Sequence, residues 1–230
     1  MRFTVCAALA VALSIGCGGP RPTSLERTAR PTAAPARTGP TLPPAAGPDL
    51  CVTEADPTGR CALLPGDFRP SRFRPSISFA LPAGWSNLRY FPDAIALLSE
   101  RTALSVVSGE LESESEGGDR AVAASTASEM MAFLQADERL RTLVPEPASV
   151  AGQVGMSIDL VSVEDIEPLF LTDQDSFDLD LGDRARFLAL DVEGMLVVFI
   201  IESAPGLELA DSIAQIEPIL DSVQWGSSPG

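Results

Sequence analysis

Phe187 to Val192 and Met195 to Ile201 are apolar runs separated only by Glu193-Gly194. A two-residue link with glycine second is a hairpin turn, because glycine accepts the positive φ that the turn demands. Val197 to Ile201 is the most continuously apolar run of these hairpin strands and reads as a central strand. Other strands follow from period-two alternation. Ile77, Phe79 and Leu81 alternate with Ser76, Ser78 and Ala80, and Pro82-Ala83-Gly84-Trp85 ends that run with Trp85 as a lid on the core. Ile95 to Leu98 and Leu104 to Val107 read as two more strands with a tight turn near Arg101-Thr102. Val150, Val154, Met156, Ile158, Leu160 and Val163 form another alternating run, in which Gly152 and Gly155 mark a turn or bulge.

Two segments carry helical spacing. Ser125 to Ala136 places Met130, Met131, Phe133 and Leu134 on one face, with Ser125, Ser128 and Glu129 available as caps. Leu140, Leu143 and Val144 are expected to continue that apolar surface until Pro145 and Pro147 stop it. Leu207, Leu209, Ile213, Ile216, Ile219, Leu220 and Val223 recur every three or four residues, with a kink or restart expected at Pro218 and Trp225 closing the core. Glu110 to Gly118 is polar and acidic and is expected to be a loop. The fold class expected from these elements is α+β: an antiparallel sheet of about six strands with helices packed on it. One domain is expected over residues 51–226, with 227–230 a tail.

The N-terminus addresses the chain. Arg2 precedes an uncharged apolar run, Val5 to Leu13, which is too short to cross a bilayer core of about 30 Å. Ser14-Ile15-Gly16-Cys17 follows, and this ending resembles a bacterial lipoprotein signal. The resemblance implies removal of residues 1–16 and lipid on Cys17; Ser14 stands where such signals usually carry an aliphatic residue. An ordinary signal cut near Gly18-Gly19 is the alternative. Residues 17–50, rich in proline and alanine, then form a disordered tether. The chain is expected to be exported and held by lipid on the outer face of the cell membrane, or on an outer membrane if the organism has one.

The segments FRPSISFALPAGWSN and ILDSVQW, at the two ends of residues 68–225, carry a second resemblance. With an acidic helix between them, they resemble exported bacterial lipoproteins with a PsbP-like α+β domain, and are similar in outline to the LpqN-type lipoproteins of mycobacteria. That resemblance implies a binding or accessory role and assigns no catalytic residue.

Composition narrows the chemistry. The chain has no histidine and its basic residues are all arginine, which removes the Ser-His-Asp set, Cys-His nucleophiles, histidine metal sites and a lysine Schiff base. Its net charge of −16 repels nucleic acid and favours cations or basic partners. Cys51 and Cys61 are the pair left after Cys17 and the leader's Cys6. In an oxidising compartment they read as a disulfide around the turn Asp56-Pro57-Thr58-Gly59, with a redox pair as the alternative.

Asp173, Asp175, Asp178, Asp180 and Asp183 form the densest acidic cluster. Such oxygen ligands suit calcium, although the spacing is not that of an EF-hand. The plain alternative is a solvated face, with Phe177, Leu179 and Leu181 on the opposite side of a short strand. The expected function is therefore a lipid-anchored binding or accessory module without a catalytic site or cofactor. It would meet the membrane through its lipid and a protein or small molecule at the surface, and would bind no nucleic acid. A calcium-responsive domain using the aspartates, and a hydrolase of envelope polymers using a carboxylate pair, are the alternatives.

Overall fold

The computed structural model describes residues 61–115, 118–204 and 206–226. The leader, Cys17, the tether, Cys51 with its pairing to Cys61, the turn at residues 56–59 and the tail at 227–230 lie outside the described residues.

In chain order the elements are β1 (Cys61–Ala62), β2 (Gly66–Phe68), β3 (Ile77–Leu81), β4 (Ser86–Tyr90), β5 (Ala94–Leu98), β6 (Thr102–Ser108), β7 (Leu111–Glu114) and β8 (Arg120–Ala124). Helix α1 (Ala127–Ala136) follows, then β9 (Leu140–Thr142), β10 (Glu146–Val150), β11 (Gln153–Ser162), β12 (Ile166–Leu171), β13 (Ser176–Leu179), β14 (Arg184–Val192) and β15 (Met195–Ser203). Helix α2 (Leu209–Asp221) and β16 (Gln224–Trp225) complete the described chain.

This is a mostly β protein, which corrects the expected α+β fold with a sheet of about six strands. Three antiparallel sheets are present among the described residues. The largest has nine strands in the order β1-β4-β5-β6-β15-β14-β11-β10, with β9 also on β11. A second runs β13-β12-β7-β8 and a third β16-β3-β2. The undercount has a physical cause: β1, β2, β9 and β16 hold two or three residues each, too few to display a period. The acidic stretch expected as a loop contains β7, paired with β8 and burying Leu111 alone among its own side chains.

β15 is the centre of the large sheet, between β6 and β14. Val197, Phe199 and Ile201 enter one core, together with Trp85, Ile95, Leu104 and the α2 residues Ile216 and Ile219. Leu196, Val198 and Ile200 enter a second core on the opposite face, with Met130, Met131 and Leu134 of α1 and Phe170 and Phe177 of the four-stranded sheet. The apolar run is continuous because both faces are covered. Glu193 and Gly194 take φ of 53° and 80° and join Val192 to its partner Met195, as the hairpin reading requires.

The helices also sit close to their expected places. Thr126, rather than a serine, caps α1 by accepting from Glu129 N, and the Glu129 side chain accepts from Ser125 N and Oγ. Helix α2 runs on through Pro218 without the expected restart. Leu143 and Val144 do not extend the core: they are 65% and 81% exposed beyond the end of β9. Trp225 donates Nε1 to Val150 O at 3.2 Å and meets Phe199 edge-on, closing the first core.

Candidate functional site

A cavity of about 340 Å³ lies between the large sheet and the four-stranded sheet. Its floor follows from pairing register. Arg89, Ala96 and Ser105 lie side by side on β4, β5 and β6, with Ala94 and Val107 one row further along. Alanine and serine leave space where larger side chains would meet the opposing sheet. The roof comes from β12, with Glu167, Phe170 and Thr172, and from β13 with its flanking turns. β12 breaks register between Ile166 and Phe170, and the Glu167–Pro168 peptide is cis there.

Part of the lining is aromatic. Phe170 and Phe177 stack with centroids 5.2 Å apart, and Phe187 meets Phe177 edge-on. The lining is also acidic, with Glu167, Asp175, Asp178, Asp180, Asp183 and Glu202. Among the described residues Arg89 is the one cation of the lining, and it is already engaged. Its Nη1 donates to Asp175 Oδ1 at 2.6 Å and to Ser176 O at 3.0 Å. Asp175 itself is fixed by a turn in which its N–H donates to Thr172 Oγ1 and Ser176 N donates to its carboxylate. Burial nonetheless pushes the Asp175 carboxyl above its usual range, and Arg89 only partly offsets this.

The aspartates expected as a cation cluster are therefore divided by role. Asp173 is exposed and does not line the cavity. Asp175 is the partner of Arg89. Asp178 and Asp180 stand exposed at the rim. Asp183 is half-buried and accepts from Asp180 N at 2.8 Å, tying the β13–β14 turn; burial raises its carboxyl, and Asp180 and Asp165 add to that. Among the described residues, no three or more acidic side chains are grouped to hold a metal ion. On the strand beneath, Phe177 and Leu179 are buried as alternation requires, but Leu181 lies past the strand end and is 65% exposed.

Glu202 is the residue that the sequence reading missed. It is the last but one residue of β15, paired with Ala103 on β6 and Ala185 on β14. Even-numbered residues of β15 face the second core, so Glu202 continues the row of Val198 and Ile200 into the cavity. It is half-buried and, among the described residues, has no hydrogen-bond or ion-pair partner. Burial, with Asp183 and Asp180 nearby, pushes its carboxyl up to about 7, and Arg89 pulls it down only in part. The signal was present: a glutamate two residues after Ile200, in phase with a buried row.

No protein-family model matches the chain, and no curated protein matches it. Two solved structures are similar to it in part. One is the solution structure of cyanobacterial PsbP (CyanoP) from Synechocystis sp. PCC 6803, at 16% identity and a TM-score of 0.42, covering 71% of this chain and 94% of that one. The other is a crystal structure from Bacteroides thetaiotaomicron VPI-5482, at 6% identity and a TM-score of 0.37, covering 67% of this chain and 46% of that one.

Proposed function

We propose that the chain is an exported, lipid-anchored binding module whose ligand site is the cavity between the two sheets. The observation that carries this reading is the cavity itself: its stacked phenylalanines and its carboxylates, among them Glu202 with no hydrogen-bond or ion-pair partner among the described residues, are the two chemistries of a small-molecule or side-chain site. The sequence around Cys17 supports anchoring, and the absence of histidine and lysine from the sequence favours binding over acyl-transfer or Schiff-base chemistry. No described helix is long and apolar enough to cross a membrane, so in this reading attachment falls to lipid on Cys17. The finer likeness to LpqN-type lipoproteins belongs to the same proposal.

Native mass spectrometry of the full-length protein tests it, after extraction from its own membrane in mild detergent without reductant. The expected mass begins at Cys17, carries acyl chains and is two hydrogens light for a Cys51–Cys61 bond. A co-purifying mass that is lost in Ser105→Leu, which fills the cavity floor, is expected as well. An unacylated chain cut elsewhere overturns the anchoring. A bound mass indifferent to Ser105→Leu overturns the site.

A further inference from the structure

We infer that the cavity takes an organic cation, an alkylammonium or guanidinium group on a short apolar arm, with its charge on Glu202 and its arm against Phe170 and Phe177. This rests on the cavity being the ligand site. Three features of the cavity lead there.

The first is charge. Among the described residues six carboxylates line the cavity, and the single guanidinium with them is already bound to Asp175 and Ser176. An anionic ligand would find no free positive partner in the lining, and would face Asp180, Asp183 and Glu202. The second is the isolation of Glu202. A half-buried carboxylate at the cavity, without a hydrogen-bond or ion-pair partner among the described residues, is held at a cost that an incoming cation relieves. Strand pairing on both sides fixes its backbone, so the carboxylate is held at the cavity by the main sheet. The third is shape. A bare divalent ion requires six or more oxygens closing around it, whereas no acidic group of that kind is present among the described residues. The space of about 340 Å³ with two stacked phenylalanines in its lining suits a group that has an apolar part.

The same cation has two sources, a free amine or a basic side chain on a peptide. Both are tested on the full-length chain in mild detergent at low salt and pH 8, following the amide signals of Ala96, Ser105 and Glu202 by NMR. The free probes are butylammonium and acetyl-arginine-amide, set against butanol and acetyl-citrulline-amide, their neutral counterparts. An Ala-Arg-Ala peptide and calcium chloride alone complete the set. The cations are expected to shift these amides with affinities about tenfold or more above the neutral probes. Glu202→Gln is expected to remove most of that difference without lowering Tm, and Ser105→Leu to abolish the shifts. Tighter binding of the peptide than of acetyl-arginine-amide assigns the source to a partner protein, and equal binding assigns it to a free amine; both keep the inference.

Neutral probes equal to the cations, or cation affinity unchanged in Glu202→Gln, overturn the cation inference but leave the cavity as a ligand site. Calcium shifting the amides where no organic cation does so overturns it also. No shift from any probe overturns both the inference and the proposed site.

Discussion

A single carboxyl illustrates how a residue can hold free energy in reserve. Glu202 is raised from 4.5 to about 7 in the folded chain, chiefly by burial. Between those two values the folded state binds more protons than the unfolded state, so stability falls as pH rises through the window and stays lower above it. Glu202→Gln keeps the shape and removes the charge. It is expected to raise stability by about 1–3 kcal/mol at pH 8 and by nearly nothing at pH 4, where the wild-type side chain is already protonated. Urea unfolding of both proteins at the two pH values measures this; an equal gain at both would show that charge is not the cause. Arg89 acts in the opposite direction. Arg89→Met leaves Asp175 beside Thr172 and Ser176 without its guanidinium, and is expected to cost about 1–3 kcal/mol at pH 7. The same unfolding assay should show that loss shrinking as Asp175 is protonated in acid.

At the level of elements, the sequence was most legible where one period persisted. The β14–β15 hairpin, β3, β5, β6 and both helices emerged because four or more residues in a row kept an apolar run or a period that burial enforces. Of the four-stranded sheet only β13 emerged, as a short strand, since β7 and β8 bury little and read as polar surface. That gap hid the cavity, because the cavity exists only where that sheet roofs the main one. The aspartates were visible as a cluster, but their division into an Arg89 partner, a turn tie and rim groups depends on contacts across many residues. Gly155 shows the same limit. It was read as a turn or bulge, yet it pairs within β11, where an added Cβ would fall 2.0 Å from Ala189 O on β14. Gly155→Ala must therefore push two central strands apart, at an expected cost of about 2–3 kcal/mol in thermal or urea unfolding. The cap of α1 is a milder case: Thr126→Ala removes the bond from Glu129 N and is expected to cost about 1 kcal/mol.

On the scale of the whole molecule, the net charge of −16 is a self-repulsion that salt relieves. Raising ionic strength from about 0.01 to 0.15 M shortens the screening length from about 30 to 8 Å, and Tm is expected to rise by a few degrees in a calorimetric scan. A fall in Tm would mean that ion pairs such as Arg186–Asp159, at 2.6 Å, outweigh the global field. The order of the large sheet has a further consequence, for the timing of folding. Strands β1, β4, β5 and β6 make one half of it and β9, β10 and β11 the other, and the two halves meet only through the β14–β15 hairpin. The seam is thus synthesised after both pieces that it joins. Until Arg184 to Ser203 has appeared, β6 offers its unpaired edge, with Leu104 and Val106 beside it, and the nascent chain has no finished sheet to lock. A chain ending at Asp183 is accordingly expected to aggregate rather than fold, while a chain kept from its last strands stays loose enough to be threaded through a narrow channel.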